Sequence, residues 1–124
     1  MQSFELVLGD ETYHLRLTSA NSMALEQVTK KGILDIVQDA SITNVVKILE
    51  YMCKTKDNNF GQKDAQELYD KLVDNGYTLF DIMYKVIYDG MVISGFLTHA
   101  ELEEMIDSIK NGQKKVKQLI QEKL

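Results

Sequence analysis

Few side chains in this sequence stand where they could do chemistry. The two histidines, His14 and His99, are far apart, and neither has a second histidine four residues away. That spacing is what lets one helix face hold a metal ion. His14 falls on the polar face of an alternating segment and His99 directly after a helix cap, so both read as surface residues. The single cysteine, Cys53, sits on the apolar stripe of a helix. A thiol buried there acts as a small hydrophobe of low reactivity. Gly90-Met91-Val92-Ile93-Ser94-Gly95 has neither the spacing nor the lysine of a phosphate-cradling loop. The 19 acidic side chains form no recognisable catalytic pair and no calcium loop. The sequence therefore predicts no enzyme, no cofactor and no metal.

Contact residues are the better candidates. Leu79, Ile82, Met83, Val86, Ile87 and Met91 form the inward set of a helix. The opposite stripe starts polar, with Asp81, Lys85, Tyr88 and Asp89, and at helical spacing reaches Val92 and Phe96. Gly90 and Gly95 fall in this second half, where glycine costs about 1 kcal/mol against alanine and usually marks close approach of another backbone. Two readings compete. The favoured one sends this end of the helix into the core. The other leaves Met91, Val92 and Phe96 as an exposed patch that docks a protein. Near the C-terminus, Val116, Leu119, Ile120 and Leu124 make a second stripe. It is a second candidate contact, set against packing back on its own domain or self-association into a homo-oligomer.

The elements that position these residues are legible from periodicity. Phe4, Leu6 and Leu8 alternate with Glu5 and Val7, and Tyr13, Leu15 and Leu17 alternate with His14 and Arg16. Gly9-Asp10-Glu11 between them supplies a turn, so residues 1–18 predict a β-hairpin with one buried face. A lone hairpin is marginal in water and must pack on something. Ser19 or Asn21 caps a helix carrying Met23, Ala24, Leu25 and Val28 and ending at Gly32. Ile33–Val37 predicts one or two helical turns. Ser41 or Thr43 starts a helix with Val45, Val46, Ile48, Leu49, Met52 and Cys53 inward. Residues 56–63 read as a loop. Ala65, Leu68, Tyr69, Leu72 and Val73 mark the next helix, stopped by Asn75-Gly76. Thr78 with Asp81, and Thr98 with Glu101, are capping signals. Leu102, Met105, Ile106 and Ile109 line the last helix, with a break at Asn111-Gly112. The fold class is α+β and mostly helical, an N-terminal β-hairpin followed by about five α-helices in one domain, 1–124. Residues 19–110 form the helical body and 111–124 a basic C-terminal segment.

Composition bounds the class. The chain has 124 residues, one cysteine and no proline. That excludes proline-rich linkers and a disulfide framework within the chain. The net charge of −5 is unevenly spread. Residues 1–109 carry 9 basic and 18 acidic side chains; residues 110–124 carry 5 lysines against Glu122. The acidic body disfavours nucleic acid as a partner. Lysines at the end of a helix also suit its negative pole. Neither a signal peptide nor a membrane span is read, and a lone cysteine fits a reducing compartment, so the expected location is cytoplasmic.

The order of several short motifs resembles a known family. Tyr13-His-Leu-Arg-Leu-Thr18 closes the hairpin; Leu25-Glu26, Gly32 and Ile33-Leu-Asp-Ile36 come after it. Then come Ile42-Thr-Asn-Val-Val-Lys-Ile-Leu49 and, late, Val92-Ile-Ser-Gly-Phe-Leu97. Over residues 4–98 this is similar to the small tail assembly chaperones of long-tailed bacteriophages and prophages. Thr29-Lys30-Lys31-Gly32 departs from the more glycine-rich turn of typical members. The resemblance implies a non-enzymatic protein of the bacterial host cytoplasm. It implies binding to tape-measure and tail tube proteins, and in many members a longer form made by translational frameshift. It brings no catalytic residues. The competing expectations are a structural tail or head–tail component of the virion, and a small regulator using its basic C-terminal segment on nucleic acid.

Overall fold

The computed structural model describes residues 2–104, 106–108 and 111. Strands β1 (Phe4–Leu8) and β2 (Glu11–Leu15) pair antiparallel, with Leu6 opposite Tyr13 and Leu8 opposite Glu11. The two-residue connection Gly9-Asp10 works because Gly9 takes φ +62°, the left-handed value that a hairpin with glycine first in the turn requires. The alternation sorts as expected. Leu6, Leu8, Leu15 and Leu17 are buried, while Val7 on the other face is 64% exposed.

Four helices come next: α1 (Ser19–Thr29), α2 (Ile33–Ile36), α3 (Ile42–Cys53) and α4 (Gln62–Asp74). After them α5 (Leu79–Ile82), a π-helical turn (Met83–Ile87) and α6 (Tyr88–Ile93) form one unbroken run. Residues 99–104 and 106–108 are helical again and are called α7. The chain is a small α+β domain dominated by helix.

Helix α3 is the hub. It packs against α1, α4, β2 and the π turn. All six of its expected inward residues are buried. Its cap is Ser41, whose hydroxyl accepts from the Asn44 N–H at 3.3 Å. Asn44 is itself buried and donates to the carbonyls of Ile36 and, at 2.8 Å, Asp39. One side chain thus closes the end of α2 and fixes the turn into α3.

Several local expectations need correction. Thr18, not Ser19 or Asn21, caps α1, accepting from the Asn21 N–H at 3.1 Å. The Asn21 side chain instead donates to the carbonyls of Tyr51 and Lys54, both at 3.0 Å, at the far end of α3. Helix α1 stops at Thr29, not Gly32, because Lys30 itself turns left-handed (φ +61°) and its N–H bonds the Glu26 carbonyl at 2.8 Å. Gly32 begins α2 instead, with the Glu26 carboxylate accepting from the Ile33 N–H at 2.9 Å. On α1 only Ser22 and Leu25 are buried; Met23 and Val28 face out. Val73 on α4 is also exposed. Gln62 and Lys63 belong to α4 rather than to the preceding loop.

The stripe through Tyr88 is the most informative correction. A straight α-helix puts Tyr88 in line with Asp81 and Lys85, yet Tyr88 is only 2% exposed. The π turn inserts one residue between them. Everything after it is rotated by about one residue's worth of arc, roughly 100°. Tyr88 therefore turns inward beside Gly90, while Met91, inward by the sequence pattern already, stays buried. Gly90 does mark a close approach, but by the Met52 side chain rather than a backbone: a β-carbon there would lie 3.1 Å from its terminal methyl. Gly95 is outside the helix. Its φ of +87° ends α6, with the Phe96 N–H reaching the Met91 carbonyl at 3.0 Å.

Three long-range ties hold the hairpin. The Arg16 N–H donates to the Met52 carbonyl at 2.9 Å, and the Leu17 N–H donates to Ser94 Oγ at 2.9 Å. At the hairpin tip, Lys71 Nζ of α4 donates to both Glu11 carboxylate oxygens, at 2.8 and 2.7 Å, and to the Tyr13 hydroxyl at 3.1 Å.

Candidate functional site

The structure gathers an apolar groove of about 760 Å³ from three stretches of chain. Leu34, Val37, Gln38 and Ala40 come from α2 and the turn after it. Leu79, Phe80, Met83 and Tyr88 come from α5, the π turn and the start of α6. Phe96, Leu97, Glu101, Glu104 and Ser108 come from the segment after α6 and from α7.

Each wall has a local cause. Helix α2 is a single turn with apolar residues at 33, 34, 36 and 37. So short a helix can bury only one side, which takes Ile33, Ile36 and Val37 and leaves Leu34 53% exposed at the groove. The reciprocal box of Thr78 and Asp81 fixes where α5 starts: the Asp81 N–H donates to Thr78 Oγ1 at 3.1 Å, and the Thr78 N–H to the Asp81 carboxylate at 3.0 Å. That start sets Leu79 and Phe80 on the groove. Phe80 leans on Tyr84 with ring centroids 4.5 Å apart. The π turn brings Tyr88 under the floor, where burial pushes its phenol pKa up. The Thr98–Glu101 box starts α7, with the Glu101 N–H donating to Thr98 Oγ1 at 3.1 Å. Glu101, Glu104 and Ser108 then recur at helical spacing along one wall.

The electrostatics of the lining are one-sided. It holds two carboxylates, Glu101 and Glu104, and no lysine or arginine among the described residues. An apolar floor with an acidic wall suits an amphipathic segment that carries basic side chains.

The sequence candidates are divided by the structure. Phe96 is half-buried and lines the groove. Val92 is half-buried against the core, outside the described groove lining. Met91 is fully buried, so as a contact residue it is corrected to a core residue. Val116, Leu119, Ile120 and the Asn111-Gly112 break lie wholly or partly outside the described residues. Sequence reasoning does not mark Leu34, Leu79, Phe80, Leu97, Glu101 or Glu104 as contacts. Only the excess of apolar residues in Ile33–Val37 hints at one of them.

Among the described residues, chemistry-bearing groups elsewhere do not converge. The His14 side chain is exposed, 3.8 Å from Glu5. His99 is exposed. Cys53 is buried, and burial pushes its thiol up to about 12. Glu50 is buried beside Lys54 at 3.3 Å, a structural ion pair at the end of α3, and its Oε1 has no partner among the described residues. Among the described residues no group of three or more His, Cys, Asp or Glu side chains could hold a metal ion, and no helix is long and apolar enough to cross a membrane. A smaller cleft of about 460 Å³ between α3 and α4 is lined mainly by polar side chains, including Lys47, Gln62 and Asp70. Comparison with protein-family models, curated proteins and solved structures finds no match to this chain.

Proposed function

We propose that this protein is a tail assembly chaperone of a long-tailed bacteriophage or prophage. It works without covalent chemistry, in the host cytoplasm, by holding tail proteins through the groove between α2, α5 and α7. The observation that carries this reading is the groove itself: about 760 Å³, apolar across its floor, acidic along one wall. The order of short motifs from Tyr13 to Leu97, similar to that family, supplies the identity of the clients. These are the tape-measure protein first and the tail tube protein second. A long helical client segment with one apolar face and flanking lysines or arginines would seat in such a groove and be kept from aggregating.

Co-expression with the tape-measure protein of the same genome tests the reading. The client is expected to be soluble and to co-purify with the native chain. Leu34→Glu is expected to abolish both, because Leu34 is an exposed groove residue whose change leaves the core intact. Equal client solubility with and without the chain would overturn the proposal. Recovery of the chain as a stoichiometric component of purified particles would favour a structural tail protein instead.

A further inference from the structure

We propose that the groove has an occupant within the same chain: residues 113–124 dock in it. Three observations point there. The first is position. Glu101, Glu104 and Ser108 of α7 form a wall of the groove, and residues 113–124 follow that wall closely in the sequence. Asn111-Gly112 is a turn-forming pair. Twelve residues would reach about 18 Å if they formed a helix. The wall from Ser108 back to Glu101 needs only about 10 Å at the same rise.

The second is pattern. Val116, Leu119, Ile120 and Leu124 recur at helical spacing, and Lys115 and Lys117 flank the stripe on either side. That matches an apolar floor beside a wall carrying Glu101 and Glu104. The third is charge. Residues 110–124 carry 5 lysines against one glutamate, while residues 1–109 carry 18 acidic against 9 basic side chains. The sign of the segment complements that of the groove wall. Docking within the chain also needs no second molecule, so effective concentration favours it over an outside partner. The inference does not depend on the chaperone reading, since its test contains no client.

The test is disulfide trapping in the full-length chain. Leu34→Cys and Leu119→Cys are introduced together, with Cys53 retained because it is buried. Mild oxidation of dilute protein is expected to give a monomeric, internally bridged species. A control pair places the first cysteine at Lys63, exposed at the start of α4, about a helix length of 18 Å from the turn into α5. It is expected to bridge at least about tenfold more slowly. Lys115→Glu with Lys117→Glu should slow the Leu34–Leu119 bridge several-fold, and added salt should do the same. Equal bridging rates for the two pairs would overturn the proposal, showing a segment that samples all surfaces alike. Bridged dimers in place of monomers would overturn it too, assigning the groove to a second copy.

Discussion

At the scale of single residues, amide side chains tie separate stretches of the chain together. Asn44 satisfies two carbonyls, those of Ile36 and Asp39, from a buried position. Removing it leaves both acceptors without that donor, and an unmet buried polar group costs about 1–3 kcal/mol. Asn44→Ala is therefore expected to lower unfolding stability by about 2–3 kcal/mol, read from the midpoint of urea denaturation. Cys53 gives a second outcome. With its thiol at about 12 and its side chain buried, almost none is thiolate at neutral pH. The native protein is expected to react with a thiol reagent only as fast as it opens, and the unfolded protein at once. A stopped-flow comparison in buffer and in denaturant checks this. Cys53 was legible in the sequence from its place on the α3 stripe. Asn44 was not, since its partners lie in a preceding turn whose path no local pattern fixes.

At the scale of elements, regular periodicity was readable and departures from it were not. Alternation placed the hairpin face, and a complete stripe placed α3. The extra residue of the π turn has no compositional signal, so the sequence put Tyr88 on a polar stripe and the fold put it inside. The groove was hidden for a related reason. It joins residues near 34, 80 and 100, and only their packing shows that they share a surface. Lys30 shows a rule applied at the wrong position: a glycine two residues later drew the helix stop to itself. The left-handed conformation costs a non-glycine residue roughly 1–2 kcal/mol, part of which glycine gives back in unfolded-chain entropy. Lys30→Gly is expected to raise stability by about 0.5–1 kcal/mol, seen as a shift in the denaturation midpoint. The neighbouring Lys31→Gly should give no such gain, because only Lys30 has the positive φ among the described non-glycine residues.

At the scale of the whole molecule, four carboxylates among the described residues shape the response to acid. The Lys71 ammonium, then the Tyr13 hydroxyl, hold Glu11 below its ordinary pKa. Backbone N–H groups do the same for Asp39, through Ser41, and for Asp81, through Thr78. A depressed folded pKa gives stability that is present above the unfolded value and lost as pH falls through the folded one. The melting temperature is therefore expected to hold from neutral pH down to about 5 and to fall below about 4. Asp81→Asn should melt lower at neutral pH and lose less on acidification. Asp89 has the opposite sign, because burial raises its pKa, so its charge is a cost at neutral pH. Asp89→Asn should accordingly melt higher there. A pH series of thermal melts reads both variants. The bond from the Leu17 N–H to Ser94 has a consequence for how the chain is made. Its partners are 77 residues apart. At roughly 5–20 residues per second of synthesis, Ser94 is added about 4–15 s after Leu17. Until then the leucine face of the hairpin has no complete cover, and a two-stranded sheet has two open edges. The hairpin is thus locked only once residue 94 has been made, and in a crowded polysome its edges are where neighbouring nascent chains would mispair.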